Sequence, residues 1–233
     1  MYISPGYSAL LDKLRTQQCS GQSWTNIPGP PPPTGINQFP LPPQPQLVSR
    51  QPLEDRVLVE NRYQGQIIYQ EVLENQCLAV IGTYHNFLNA TATPNTPFSR
   101  EISVAIGASQ TSSFEVSFGL SLGISIGSIA DLSASLTTTL GHSITLHTET
   151  KITDTFSITP AQNTDVSVSW WQATYAYRLE AQRVIRSFGD IIGREPFSDT
   201  FQDNANTFIA TQYPAATTSD SPLFIAKFGD FKL

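Results

Sequence analysis

From Val116 to Thr148 the chain runs for 33 residues with Asp131 as its one acid or base other than histidine, yet Ser, Thr and Gly fill it. Such a stretch is too polar for an ordinary core and too regular for a loop. Apolar side chains take alternate positions, Phe114, Val116, Phe118, Leu120, Leu122, Ile124 and Ile126, with Ser117, Gly119, Ser121, Gly123 and Ser125 between them. That pattern is the signature of a β-strand with one apolar face. After Gly127-Ser128-Ile129-Ala130-Asp131 it resumes in the same parity with Leu132, Ala134, Leu136, Leu140, Ile144 and Leu146, and runs on through Ile152, Phe156 and Ile158. Two matched arms therefore flank a short polar apex.

Ile102, Val104, Ile106 and Ala108 carry the first arm backwards in the same parity, and Gln110 and Ser112 interrupt its apolar face, where a bend is expected. Each arm spans roughly 25 residues, or about 80 Å of extended chain. Ordinary strands hold about 3 to 10 residues, so this length needs a reason. A transmembrane β-barrel assembled from several chains supplies one. Its strands need about 9 to 11 residues, apolar toward lipid and small or polar toward a watery lumen. Val116 to Ile126 and Leu132 to His142 meet that length on either side of Asp131, while Glu115, Glu149, Lys151 and Asp154 lie beyond the apolar arms. One chain supplies only two strands, so closure of the barrel requires a homo-oligomer. The competing reading is a Ser/Thr-rich β-sandwich that buries one face of each strand.

The other 200 residues of this 233-residue chain limit the alternatives. Thirteen Lys and Arg stand against 19 Asp and Glu, giving a formal net charge of -6 without a basic block. Nucleic acid is thus an unsuitable partner, and attachment to a membrane calls for a glycan or a protein receptor rather than bulk charge. No apolar run approaches the length of a transmembrane helix. Met1 to Gln18 lacks the apolar run of a signal peptide, so the chain is either a mature product or one that leaves its cell by another route.

Eleven of the 17 prolines fall in the first 52 residues, including Pro30 to Pro33. Residues 1–55 therefore read as a proline-rich tail, either a propeptide or a surface strap, and residues 56–233 as an elongated β body. A short helix over Tyr7 to Leu14 is expected within the tail, and Trp24 is a candidate anchor for a strap. Cys19 and Cys77 permit one disulfide that ties tail to body; two buried thiols are the other option. In the body, strands are expected at Val57 to Asn61, Gln66 to Val72, Cys77 to Tyr84 and Val166 to Ala181, with a bulge where Trp171 breaks the alternation. Pro222 to Leu233 fits a closing strand.

No catalytic residues are assigned. His85, His142 and His147 form neither a zinc-protease motif nor a Cys/His cluster, no spacing ties the carboxylates to glycosidase chemistry, and there is no nucleophile elbow or phosphate-binding loop. No metal and no cofactor are expected. Trp170, Trp171, Tyr175 and Tyr177 form a dense aromatic group, a candidate surface-binding site for sugar or headgroups, with core packing as its other role.

The texture and order of residues 56–183 resemble the aerolysin-like (ETX/MTX2-type) β-pore-forming toxins. Ser112 to Ser128 and Leu132 to Ser157 look like their amphipathic insertion hairpin, and Val166 to Arg183 like the aromatic-rich long strand that follows. The resemblance implies an all-β, elongated aerolysin-like fold of long twisted antiparallel strands with its insertion hairpin at 112–157. It also implies a cytolytic, insecticidal-type toxin, secreted or released, that binds a target-cell membrane, oligomerises and inserts, often after losing a propeptide at a site such as Arg50 or Arg56. The alternative is a non-catalytic β-rich adhesin or carbohydrate-binding protein.

Overall fold

A computed structural model of the protein describes residues 19–93, 96–108, 112–158 and 165–214. The helix expected at Tyr7 to Leu14 and the strand expected at Pro222 to Leu233 lie outside them. In chain order the elements are β1 (Gln46–Pro52), β2 (Arg56–Tyr63), β3 (Gln66–Ala92), β4 (Phe98–Ala108), α1 (Ser112–Leu122), α2 (Ile129–Leu140), β5 (Thr150–Ile158), β6 (Val166–Ser187) and β7 (Asp190–Pro214). The strands make one antiparallel sheet in the order β1-β3-β6-β7-β4-β5, and β2 also pairs with β3. Two departures from the sequence reading stand out. The fold is not all-β, because the segment read as two strands on either side of Asp131 holds α1 and α2. And residues 190–214, where no strand is expected from the sequence, form one 25-residue strand.

β3 and β6, with 27 and 22 residues, are the spine of the sheet. They pair from Tyr69 opposite Ser187 to Ala92 opposite Val166, and the ladder shifts between Asn86 and Leu88, opposite Trp171 and Trp170. The extra residue is Phe87, so this bulge lies on β3 opposite the two indoles and not on β6 at Trp171. Trp170 packs with Leu88, Val168 and Phe98, and Trp171 with Tyr84, Ala173 and Ile209. Pro196 is tolerated inside β7 because its neighbour there is β6 alone; β4 reaches β7 only at Gly107 and Ala108.

The proline-rich segment lies across the sheet as it runs toward β1. Gln22 and Arg50 exchange backbone hydrogen bonds at 2.6 and 3.2 Å, and Thr25 N–H donates to the Val48 carbonyl at 2.8 Å. Further along, the Asn37 N–H donates to the Ser167 hydroxyl. Ile27 packs against Gly82, where a Cβ would stand 2.7 Å from Ile27 Cγ2 and 2.9 Å from Val48 Cγ2. Glycine is required there for so close an approach. Cys19 and Cys77 are joined as a disulfide across 58 residues of sequence, which pins the start of the strap to β3. Strap and helices share one face of the sheet, since Ile27 contacts both the Trp171 cluster and the main core under α1 and α2.

Candidate functional site

The helices answer to the same residues that suggested strands. Phe114 and Phe118 on α1, and Leu132, Leu136 and Leu140 on α2, recur every four residues, and all five are buried. A spacing of four belongs to one face of a helix and also to one face of a strand. They pack with Leu78, Val80, Tyr177, Leu179 and Phe201 of the sheet, and Ile144 and Leu146 close the cluster beyond α2, while Leu122 and Ile126 pack at its margin. The remaining even positions of the first arm are left outside: Val116 is 61% exposed, Leu120 49% and Ile124 48%. They form a second line of spacing four on the outer side of α1 and the turn after it.

Beyond their buried apolar face the helices have few polar tethers among the described residues. α2 begins at Ser128, whose hydroxyl accepts from Asp131 N–H at 3.2 Å while donating to Asp131 Oδ2 at 2.8 Å. It ends at Gly141 in the left-handed conformation. Ser133 and Thr137 hydroxyls donate to the Ile144 carbonyl, which folds the exit segment back along the helix. α1 is held to β7 by one side-chain hydrogen bond, Ser117 Oγ to Asp199 Oδ2 at 2.9 Å. Asp131, expected at a hairpin apex, here lies in the first turn of α2 and accepts from the Ser128 cap.

Of the candidate surface-binding rings, Trp170, Trp171 and Tyr177 are buried and Tyr175 is half-buried. In this state they pack the interior. The exposed aromatic group lies elsewhere. The β2–β3 and β6–β7 turns fall side by side at one end of the sheet, where Phe188 N–H donates to the Ile68 carbonyl. There Tyr63 is 64% exposed, Phe188 76% and Ile192 63%, with Ile191 beside them. Gln64-Gly65 and Phe188-Gly189 both have positive φ at both positions, the two-residue hairpin geometry that favours Asn and Gly. A phenylalanine at φ 49°, facing water, satisfies neither local preference nor packing. Its signal in the sequence is Phe-Gly between two alternating runs.

A cleft of about 310 Å³ opens where the strap, the segment after α2 and the sheet meet. Trp24 and Asn26 come from the strap, His142 to His147 from the segment after α2, and Gly107, Tyr175, Tyr177, Asp203 and Asn204 from the sheet. Trp24 stacks on His142 with ring centroids 4.3 Å apart and planes within 5°, and leans on Tyr175 at 5.7 Å. Burial raises the Asp203 carboxyl to about 6, with the His147 charge opposing it. Burial, with the Asp203 charge adding, also pushes the Tyr177 phenol well above its usual range.

A carboxyl whose folded pKa lies above its unfolded value costs stability once ionised. The cost is fully present above pH ~6 and gone below pH ~4. Asp203→Asn should therefore raise unfolding stability by about 1–3 kcal/mol at pH 7.5, with the difference from the parent closing by pH 4. Urea melts of both proteins across that range check this; a parallel pair of pH curves would contradict it.

Among the described residues no group of three or more His, Cys, Asp or Glu side chains is placed to hold a metal, and no helix is long and apolar enough to cross a membrane, which leaves strands unaddressed. No family model matches the chain, and no curated protein matches it. Among solved structures it is similar to the crystal structure of Cry35Ab1, at 14% identity and a TM-score of 0.47, over 82% of this chain and 52% of that one. The chain thus spans about half the length of that protein.

Proposed function

We propose that this protein is a β-pore-forming toxin whose residues 112–148 exchange the helical pair for a transmembrane hairpin in a homo-oligomer. One observation carries the reading, the register of the β4–β5 ladder. It runs from Phe98 opposite Ile158 to Ile106 opposite Thr150, one step back for each step forward; the bridge beyond it, Ala108 to Thr148, is parallel, so in this state the antiparallel ladder ends at Ile106. Continued without a slip, it sets Val116 opposite Leu140, Leu120 opposite Leu136, Leu122 opposite Ala134, Ile124 opposite Leu132 and Ile126 opposite Ala130. It closes on Gly127-Ser128-Ile129, a three-residue loop of ordinary hairpin length.

Residues opposite one another share a face, so every apolar position of one arm meets the apolar parity of the other. Thr138 and His142, with Ser112 and Thr148 at the two ends, are the polar members of that face. The opposite face carries Ser, Thr and Gly, and Asp131 falls on it next to the closing turn, away from lipid. Burial of the apolar face in lipid contributes roughly 25 cal/mol per Å², and the closed ladder satisfies the backbone. The unused line Val116, Leu120, Ile124 is thereby brought into use.

First contact with the bilayer falls to the tip bearing Tyr63, Phe188 and Ile192, since aromatic and aliphatic side chains settle at the headgroup boundary. Phe188→Ser combined with Ile192→Ser should reduce recovery on phosphatidylcholine–cholesterol vesicles by about tenfold at unchanged melting temperature, the loss expected for roughly 1.4 kcal/mol of apolar contact. Equal recovery would remove the tip from the reading.

The main test places an environment-sensitive label at each position from Ser117 to Ile126 and measures calcein release in parallel. Labels at even positions should report lipid and those at odd positions water once the vesicles leak. A spacing of four in the bound state, or binding without leakage, would instead favour an adhesin.

A further inference from the structure

The cleft between Trp24 and Asp203 contains a group the hairpin reading does not use. Asp203 is only 8% exposed, and no described residue donates a hydrogen bond to its carboxylate. The residue forms part of the wall of an open cavity, so its carboxylate is open to a donor arriving from the cleft. The other walls are matched for hydrogen bonding. Asn204 Oδ1 accepts from the Thr174 hydroxyl at 3.2 Å, which leaves the amide NH₂ to donate into the cleft. Tyr175 brings a hydroxyl, and Asn26 and Ser143 bring exposed polar groups at the mouth.

A ligand that satisfies this lining must donate to Asp203 and accept from Asn204 over a short span. Vicinal hydroxyls do both, because each is donor and acceptor. A quaternary ammonium fits less well, since it needs open ring faces. One face of Trp24 is occupied by His142, and Tyr177 packs on Phe201 at 5.5 Å. At about 310 Å³ the cavity is at the small end of ligand pockets, a fit for one sugar ring.

We propose that this cleft is a saccharide-binding site, with a vicinal hydroxyl pair on the Asp203 carboxylate, the Asn204 amide donating to a neighbouring ring oxygen, and Tyr175 at the edge of the sugar. The assignment stands apart from the pore reading, because it is measured without membranes and survives if no leakage is ever seen.

The experiment titrates the full chain with the methyl glycosides of glucose, galactose, mannose, fucose, N-acetylglucosamine and N-acetylgalactosamine, and with choline chloride as the ammonium probe. Binding is followed by tryptophan fluorescence and by NMR shifts. At least one glycoside should saturate in the millimolar range, as expected of a single sugar ring. Asp203→Asn should weaken it at least tenfold, and Tyr175→Phe about threefold, with circular dichroism unchanged. Failure of all six to saturate by about 100 mM, unchanged affinity in Asp203→Asn, or tighter binding of choline would overturn the assignment. If Asp203→Asn does not fold, the Tyr175→Phe result decides, and full retention of affinity there counts against the site.

Discussion

A Leu120→Arg protein should melt with the parent and release no dye. In the helical state Leu120 lies on the outer side of α1 with 49% of its surface exposed, where substitutions change stability by roughly 0.5 kcal/mol or less. Arg56 lines the same shallow groove, but repulsion between two exposed cations is screened by salt. In the extended hairpin the same position lies near the middle of the apolar face. An arginine facing lipid at mid-depth costs about 2–4 kcal/mol, or roughly 30- to 900-fold per protomer, and every protomer of a barrel bears it.

Leu136→Arg would not separate the two states, because Leu136 is fully buried under the helices and the folded protein would fail first. Dye release at the parental rate from Leu120→Arg vesicle mixtures, with binding intact, would end the hairpin reading. Val116→Arg, at a still more exposed site, offers a second arm of the same experiment.

The contrast between Leu120 and Leu136 also explains what the sequence could and could not disclose. Alternation located two of the three long strands and missed β7: β6 begins at Val166 as expected, and β3 absorbs two of the expected strands into one. Between Ser112 and Leu140 the apolar code fits two structures at once. Phe114, Phe118, Leu132, Leu136 and Leu140 satisfy a helix face by spacing and a strand face by parity, so the deciding terms are local and tertiary. Ser128 and Asp131 make a cap, Gly141 ends the helix, and the sheet offers Tyr177, Leu179 and Phe201 as a surface to cover.

Those caps were visible as residues, but their weight against a long run of alternation was not. The aromatic group at Trp170 to Tyr177 was legible as a cluster, yet a central strand covered on both sides turns it inward. Phe188 was hidden because phenylalanine is not a turn residue. The β4–β5 register required knowing which residue faces which, and the Asp203 cleft required five separated stretches of chain to meet.

Joining α1 to β7 should switch leakage off and cutting the joint should restore it. Ser117 and Asp199 already touch through a 2.9 Å hydrogen bond, so Ser117→Cys with Asp199→Cys can be bridged by a short cleavable bis-maleimide while the protein is in its helical state. A maleimide joint leaves the Cys19–Cys77 disulfide untouched, provided the linker carries a vicinal diol cleaved by periodate, or a photolabile group cleaved by light, and is not cleaved by a thiol. The joint holds residue 117 against the sheet, and residue 117 lies on the lumenal face of the first arm, one position from Val116. The arm cannot then extend along the β4–β5 register, because its base is fixed beside Asp199. Binding through the tip at Phe188 is left free, so the joined protein should bind vesicles like the parent and leak at least a hundredfold more slowly, the effect of about 2.7 kcal/mol or more on the inserting population. Cleavage should recover most of the parental rate. The single variant Ser117→Cys, capped with a monofunctional maleimide, controls for the added bulk. Leakage that continues while the joint is intact would mean that whatever perforates the vesicle is not this segment, whatever its alternation suggests.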